Sequence, residues 1–277
     1  MNKENNSIKS KPFLRWAGGK SWLIKQLDEF VEINHYNQYH EPFVGGGAIF
    51  FHVAPQSNSF LNDLNSELID TYETVREDVQ GVLEELRKFK NTKECYYKVR
   101  ASNFRSSLKR TARFIYLNQT SFNGIYRVNL KGEYNVPYGY RKKEFLDAEA
   151  LISASKKLKN AIFTSGDFVN TIDNVNENDL VFLDPPYTIT HNNNGFFKYN
   201  AKLFTKEDQY RLSEMIDEIK KKNAYYILTN AAHDKVKEIF NKNDKMFELK
   251  RASLIGGKNA KRDKYSELVV TNIKNIK

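Results

Sequence analysis

Short apolar runs rich in β-branched and aromatic residues recur in both outer thirds of this 277-residue chain. Helical patterns separate several of these runs, and the pattern at residues 205–222 begins with the capping sequence Thr-Lys-Glu-Asp. Strands that alternate with helices predict an α/β fold with a parallel sheet. The last two runs are joined by a loop with glycine and lysine, which predicts a terminal antiparallel hairpin. The predicted strands are residues 38–43, 59–62, 161–165, 180–183, 224–229, 247–250 and 267–273.

The middle of the chain has a different pattern. Residues 66–90 and 92–118 read as long helical stretches without strand signals between them. We therefore expect a mainly helical insert in an α/β core, with the first part of the core at 1–66, the insert at 67–157 and the second part at 158–277.

The positive charge is concentrated in that insert. The whole chain has a formal net charge of +10, and residues 93–143 alone hold 12 basic residues against two acids, Glu94 and Glu133. Aromatic residues are interleaved with these cations. Basic side chains neutralise phosphates and aromatic faces can stack on bases, so the segment is typical of nucleic-acid binding. A solvated basic helix face beside an ordinary aromatic core is the alternative.

Composition narrows the class of protein further. Cys95 is the only cysteine, which excludes a disulfide framework and a cysteine-rich zinc site and suits a reducing compartment. No spacing of side chains is typical of a metal site. No apolar run approaches the roughly 20 residues that span a bilayer, and the N-terminal residues lack the apolar segment of a signal peptide. We expect a cytoplasmic protein without a membrane partner.

Two glycine-bearing motifs lie near the N-terminus. The first is Trp16-Ala17-Gly18-Gly19-Lys20-Ser21, which resembles a phosphate-binding loop, but that loop requires glycine where Leu14 stands. The second, Gly45-Gly46-Gly47, directly follows a predicted strand. Consecutive glycines there let the backbone approach a nucleotide-like cofactor closely, although a tight turn between strand and helix would also use them.

Two acidic residues end predicted strands. Asp63 follows the glycines by the interval of about 20 residues at which an acid binds ribose hydroxyls, or else it caps the next helix. The other acid opens Asp184-Pro185-Pro186-Tyr187, directly after the apolar run 180–183. Carboxylate and carbonyl oxygens are acceptors for an amino group, and Tyr187 offers a platform for a planar ring. A turn without function would need neither the tyrosine nor the preceding strand.

Together these motifs resemble the Dam-type N6-adenine DNA methyltransferases, the alpha group of the D12 class, over about residues 11–270. The resemblance implies a Rossmann-like, S-adenosylmethionine-dependent methyltransferase core of α/β class, in which residues 67–157 are a mainly helical target-recognition domain bearing a β-hairpin. It implies S-adenosylmethionine as the cofactor. The residues that would bind or border the cofactor are Trp16, Lys20, Gly45, Gly47, Asp63 and Asp184, and Asp167 either lies beside its adenine or caps a loop.

The resemblance also implies a mechanism. The enzyme would flip the target adenine out of the duplex, and Tyr187 would stack on the flipped ring. The Asp184 carboxylate and the Pro185 carbonyl would accept the two N6 hydrogens and aim the nitrogen at the methyl group. A cytosine-N4 or RNA methyltransferase and a non-catalytic nucleic-acid-binding protein are the alternatives. Aspartate at position 184, where the N4 enzymes usually have serine, favours adenine.

The partner implied by the resemblance is double-stranded DNA. Residues 123–129 and 134–139 look like the family's DNA-reading hairpin, with Arg127 at its tip. Arg127 would bind guanine O6 and N7, and Arg15 would contribute at the second guanine of GATC. A phosphate contact by Arg127 and longer sites that begin GAT are alternatives. A restriction endonuclease of the same system would be a further partner; the oligomeric state and the role of residues 189–199 have no prediction. The predicted DNA-binding residues are Arg15, Asn123, Tyr126, Arg127, Asn135 and Pro137.

Overall fold

A computed structural model describes residues 11–16, 18–20, 23–24, 36–129, 131–187, 204–252 and 264–273. The predicted loop 189–199 lies outside these residues. Within the described ranges, no helix is at once long enough and apolar enough to cross a membrane.

The described strands are β1 (Tyr39–Glu41), β2 (Ser59–Asp63), β3 (Ala161–Ser165), β4 (Leu180–Leu183), β5 (Tyr225–Ala231), β6 (Lys245–Ala252) and β7 (Lys264–Thr271). They form one seven-stranded sheet in the order β3-β2-β1-β4-β5-β7-β6. The pairs β1–β2, β1–β4 and β4–β5 are parallel, so the carboxyl ends of these strands share one edge, where α/β proteins bind ligands. The pairs β5–β7 and β6–β7 are antiparallel, which confirms the predicted terminal hairpin.

Helices follow or separate most of the strands. The helix predicted from its capping sequence is Lys206–Lys221, and Thr205 and Asp208 form the reciprocal capping box at its start. Short 3₁₀ segments lie at Phe122–Gly124, Leu158–Asn160 and Phe168–Asn174. The helices are α1 (Ala48–Val53), α2 (Ser66–Glu77), α3 (Val79–Leu86), α4 (Lys93–Ala101), α5 (Ser107–Thr120), α6 (Ala148–Lys157), α7 (Lys206–Lys221) and α8 (Asp234–Ile239).

The middle of the chain is helical without intervening strands from residue 66 to residue 120, as predicted, but each of the two predicted stretches is divided into two helices. Asp78 interrupts the first, because its backbone is not helical (φ −143°, ψ 71°) and its side chain accepts a hydrogen bond from Gly81 N at the start of α3. The second is interrupted between Ala101 and Ser107, where the extended backbone of Ser102 ends α4. Asp and Ser side chains bond nearby backbone groups and so favour helix ends over helix interiors.

The chain divides into two compact units. The first gathers described residues of Met1–Ser21, Val44–Gln56 and Asp63–Gly166. In it, α2 packs on α5 and α6, and α3 packs on α5. Compactness does not test which residues recognise DNA, so the predicted domain boundaries at residues 66 and 157 remain a prediction. The core of this unit includes the buried residues Leu68, Tyr72, Val75, Leu83, Leu86, Tyr96, Ile115 and Tyr116.

The second unit gathers described residues of Trp22–Phe43, Ser57–Asn62 and Asp167–Lys277. Its core lies on one face of β4, β5 and β7, against which α7 packs its apolar side. The alternation of side chains along a strand sends every second residue of these strands into that core. The core residues include Val181, Leu183, Leu212, Ile216, Ile219, Tyr226, Leu228, Leu268 and Val270.

Candidate functional site

The glycine turn after β1 packs against Trp16 in the first unit. A Cβ atom added to Gly45 would lie 2.9 Å from Trp16 Cδ1, and one added to Gly46 would lie 2.7 Å from Trp16 Cβ. These distances are shorter than real Cβ atoms show, so the position of Trp16 favours glycine at both positions, through its indole at Gly45 and through its Cβ at Gly46. Gly47 has a φ of 67° and is the N-cap of α1. The structure thus brings the first two sequence motifs together.

Asp63, the last residue of β2, joins the same turn. Its carboxylate accepts hydrogen bonds from Gly45 N at 3.0 Å and from Asn65 N at 2.9 Å. The N-cap of α2 is Asn65, whose side chain accepts from Leu68 N, so the alternative that Asp63 caps this helix is wrong. Burial raises the pKa of the Asp63 carboxyl above its ordinary value, although backbone N–H groups favour the charged form.

Two further side chains frame this part of the first unit. The Tyr72 hydroxyl donates to the Gly45 carbonyl at 2.8 Å and so helps to hold the glycine turn. Sequence reasoning missed this residue. Lys20 is 3% exposed, and its Nζ donates to the Gly18 carbonyl at 3.1 Å. A buried ammonium requires acceptors, and a carbonyl of its own motif supplies one.

The Asp184-Pro185-Pro186-Tyr187 motif begins immediately after β4 in the second unit. The Thr229 hydroxyl on β5 donates to Asp184 Oδ1 at 2.8 Å. The Tyr187 hydroxyl donates to Glu267 Oε2 on β7. Thr229 and Glu267 are 0% and 2% exposed, respectively. Sequence reasoning missed both, although a polar residue inside an apolar strand is a signal that could have identified them.

Asp167 caps the 3₁₀ segment Phe168–Asn174 by accepting from Val169 N at 3.0 Å. It also forms an ion pair with Arg211 Nη2 at 2.6 Å, and Arg211 binds Asp208 through Nη1 at 2.8 Å. Phe168 is buried against Phe43, with the ring centroids 5.1 Å apart. The capping alternative therefore holds for Asp167, and contact with a cofactor remains a prediction.

The predicted hairpin in the first unit is short and irregular. Val128 and Tyr134 form an isolated antiparallel bridge, and Asn129 N donates to the Glu133 carbonyl at 2.9 Å. The chain reverses at Asn129 and Gly132, whose backbone groups bond at 3.0 Å. The placement of Arg127 at the tip was wrong, because it lies before the bridge.

The exposed Arg127 side chain is held by Asn135, the residue that faces it across the hairpin. Arg127 Nε donates to Asn135 Oδ1 at 2.7 Å, and Asn135 N donates to the Arg127 carbonyl at 3.1 Å. Asn123 and Pro137 are exposed near the hairpin's base, and Asn123 has a φ of 55°. Asn and Asp tolerate this left-handed conformation better than other non-glycine residues.

Tyr126 packs against Trp16 of the first glycine-bearing motif. Its ring stacks on Trp16 with the centroids 6.0 Å apart and the planes at 21°. Its hydroxyl donates to Glu67 Oε2 at 2.9 Å. These contacts account for the tyrosine without DNA, and its DNA contact remains a prediction.

Arg15 is half-buried and bonded to the end of α5. Its backbone N–H donates to Asn118 Oδ1 at 2.8 Å, and Asn118 Nδ2 donates back to the Arg15 carbonyl at 2.6 Å. Its Nη1 lies 3.4 Å from the carbonyl oxygens of both Gln119 and Ser121. Burial, and secondarily the charge of Arg141, lower the pKa of the Arg15 guanidinium.

Comparison with known proteins gives consistent relatives. The family model for D12 class N6 adenine-specific DNA methyltransferase matches residues 16–254. The chain is 34% identical to the type II methyltransferase M1.LlaDCHI of Lactococcus lactis subsp. cremoris, over 98% of this chain and 99% of that protein. It is 37% identical to the type II methyltransferase M.MjaIII of Methanocaldococcus jannaschii, over 80% and 84% of the two chains. It is 32% identical to the DNA adenine methylase of Escherichia coli K12, over 82% of each.

The family match spans most of the sequence and contains the glycine turn, Asp63 and the Asp184–Tyr187 motif. The seven-stranded sheet of parallel and antiparallel strands, with its helices, is consistent with a Rossmann-like methyltransferase fold. The chain belongs to the D12 class of N6 adenine-specific DNA methyltransferases.

Proposed function

We propose that this enzyme transfers the methyl group of S-adenosylmethionine to N6 of an adenine flipped out of duplex DNA, within the sequence GATC. The observation that carries the proposal is the hydrogen bond from Thr229 to Asp184 at the end of β4. It fixes an acidic acceptor at the carboxyl edge of the sheet, next to a carbonyl and an aromatic ring. An adenine amino group needs such acceptors.

The first unit offers the residues that would hold the cofactor. Asp63 brings a carboxylate to the glycine turn, where it would bind ribose hydroxyls, and Trp16 lies on the same turn. Lys20, Gly45 and Gly47 would border the cofactor. These residues fit a nucleoside with hydroxyl groups, since the half-buried Asp63 carboxylate is an acceptor that backbone N–H groups hold in place. When bound, the cofactor supplies a methyl group on a sulfonium.

The chain's own residues would act on the adenine by positioning. Asp184 and the Pro185 carbonyl would accept the two N6 hydrogens, and this arrangement aims the nitrogen lone pair at the methyl group. Tyr187 would stack on the ring, an interaction worth about 1–3 kcal/mol. Asp184 would also border the cofactor. Direct transfer needs no protein nucleophile, and Cys95 Sγ, which accepts from Lys90 N at 3.3 Å, has a structural contact.

The proposed target sequence rests on Arg127. Asn135 orients its guanidinium through Nε, while the Nη2 bond to the Asn135 carbonyl is long at 3.4 Å. Asn135 thus takes the Nε side of the guanidinium as its main donor. The edge formed by Nη1 and Nη2 would bind O6 and N7 of a guanine. Arg15 would contribute at the other guanine, and Asn123 and Pro137 would contact DNA nearby.

Product analysis tests the chemistry. The purified enzyme is incubated with S-adenosylmethionine labelled in its methyl group and with duplex DNA, which is then digested to nucleosides. We expect label in N6-methyladenine with the wild type and no detectable label with Asp184→Ala at unchanged thermal stability. Label in N4-methylcytosine, or more than a tenth of wild-type turnover in Asp184→Ala, would contradict the proposal.

A further inference from the structure

Tyr187 is tied to a residue that is distant in sequence. Its hydroxyl donates to Oε2 of Glu267, which lies 80 residues later and is 2% exposed. In the proposed function the Tyr187 ring stacks on the flipped adenine. The group that binds the Tyr187 hydroxyl would therefore affect the orientation of the ring.

Glu267 lies on the face of β7 that is opposite the core of the second unit. Its neighbour Leu268 is part of that core, and side chains alternate along a strand. Glu267 pairs with Ala231 of β5, and Val269 pairs with Thr229. Directly opposed residues of antiparallel strands share a face. One face of β5 and β7 therefore carries both Thr229, which binds Asp184, and Glu267, which binds Tyr187.

Packing does not explain a glutamate at this position. Glutamate is almost never fully buried unless it is paired, because the loss of hydration is costly. An apolar residue would serve the strand better, as Leu268, Val269 and Val270 do. The hydroxyl of Tyr187 meets the carboxylate, and hydrogen bonds to a charged acceptor are stronger than neutral ones. Holding the hydroxyl oxygen fixes the direction of the long axis of the ring. The O–H bond prefers to lie in the plane of the ring, so donation to the Glu267 carboxylate also restricts rotation of the ring about that axis.

We propose that Glu267 is a positioning residue that sets the plane of the Tyr187 ring for stacking on the flipped adenine. This role rests on the proposed function. Glu267 acts through the tyrosine hydroxyl, so the carboxylate and the hydroxyl should contribute as one unit to methyl transfer.

A double-mutant cycle tests this role. Single-turnover rates of methyl transfer and cofactor affinities are measured for wild type, Tyr187→Phe, Glu267→Gln, Glu267→Leu and the double variant Tyr187→Phe/Glu267→Leu. We expect Tyr187→Phe and Glu267→Leu each to slow transfer about tenfold, with cofactor affinity within about twofold of wild type. Glu267→Gln, which keeps an acceptor, should lose less. The double variant should be no slower than the slower single variant.

Thr271→Val is the matched control. Thr271 lies on the same strand and face as Glu267, is 1% exposed, and donates to the Tyr226 carbonyl at 2.5 Å. This variant should lose stability and keep the transfer rate.

An active wild type in which the two single effects multiply, or in which Thr271→Val slows transfer as much as Glu267→Leu, would overturn the role of Glu267. A wild type that transfers no methyl group would instead overturn the proposed function. If Glu267→Leu does not fold, the other two single variants decide. Wild-type transfer rates in both Tyr187→Phe and Glu267→Gln overturn the role of Glu267. Transfer that is slowed more in Tyr187→Phe than in Glu267→Gln supports it.

Discussion

At the scale of single residues, polar side chains with little solvent exposure bind the motifs that we propose as functional. Thr229 and Glu267 interrupt apolar strands, and each bonds a member of the Asp184–Tyr187 motif. Asp63 similarly ends an otherwise buried strand and turns its carboxylate to Gly45. Removing such a side chain from water costs stability, and hydrogen bonds to specific neighbours offset that cost, which is the pattern expected of positioned functional groups.

Thr229 offers a clean test of this idea. Thr229→Val keeps the shape of the side chain and removes the donor to Asp184 Oδ1. Hydrogen bonds to charged groups are worth about 1.5–3 kcal/mol, so we expect turnover to fall about 10- to 100-fold. Thr229→Ser keeps the hydroxyl and should stay within about threefold of wild type. Steady-state kinetics on one duplex substrate measures both, and equal turnover in Thr229→Val and wild type would contradict the assigned contact.

Calorimetry can distinguish cofactor binding by Asp63 from helix capping by the neighbouring Asn65. Asp63→Ala should weaken S-adenosylmethionine binding about 10- to 100-fold, because a charged acceptor for ribose hydroxyls is lost. Asn65→Ala is the control, since Asn65 is the actual N-cap of α2. That variant should lower the free energy of unfolding by about 1 kcal/mol without changing the affinity for the cofactor. If Asp63→Ala binds the cofactor as tightly as wild type does, Asp63 only holds the turn.

At the scale of elements, the hairpin around the Val128–Tyr134 bridge is the part whose proposed function depends most on local geometry. We predict that Arg127→Ala loses about 1–3 kcal/mol of discrimination at one guanine of GATC. Asn135→Ala should lose part of the same discrimination, because Arg127 Nε no longer has its acceptor. Methylation of GATC duplexes and of every single-base variant, by each protein, measures the effect.

Lys131→Ala is the control for the hairpin, since Lys131 is an exposed cation near the turn. If Lys131 binds phosphate, its removal should lower the methylation rate on all duplexes alike. Equal losses on every duplex for Arg127→Ala would show that Arg127 binds phosphate and would remove the basis for GATC.

Some elements could be predicted from the sequence because their signals are local. The strands Ala161–Ser165 and Leu180–Leu183 have the predicted bounds, since each is an apolar run with clear ends. The strand Tyr39–Glu41 is shorter than its apolar run, and the run includes Pro42, which cannot donate to a ladder. The break at Asp78 was missed because a single capping residue competes weakly with a long helical pattern.

The parts of the site that depend on distant contacts could not be predicted. Asp184 and Thr229 are 45 residues apart, and Tyr187 and Glu267 are 80 apart. Their pairing follows from the sheet order, which a pattern of strands does not specify. The family resemblance implied that Trp16 and the glycine turn border one cofactor, but the direct packing of the Trp16 side chain on Gly45 and Gly46 could not be predicted from it.

At the scale of the whole molecule, stability should depend on pH through His40. Its Nε2 donates to Asp179 Oδ2 at 2.9 Å, both side chains are fully buried, and Nδ1 has no hydrogen-bond partner among the described residues. Protonation would place a second N–H at Nδ1 without an acceptor. Burial accordingly lowers the pKa of His40 below its ordinary value of 6.5, although Asp179 opposes the shift.

This shift predicts a weaker fold in mild acid. The unfolded chain binds the proton of His40 more tightly than the folded chain does, so the free energy of unfolding falls as the pH drops below 6.5. The slope should approach, and not exceed, about 1.4 kcal/mol per pH unit for this group. His40→Gln keeps a donor for Asp179 and does not titrate. The free energy of unfolding is measured by urea unfolding between about pH 7 and pH 5.5. It should change less with pH in His40→Gln than in the wild type, and an identical pH dependence of the two proteins would contradict the role of His40.

The proposed function is methylation of adenine N6 at one short sequence. Its decisive test is methylation of a random-sequence duplex library, followed by mapping of the modified positions at single-base resolution, with Asp184→Ala as the inactive control. We expect N6-methyladenine at GATC with the wild type and unmodified DNA with the control. Modified cytosine, or modified adenine without a shared flanking sequence, would contradict it.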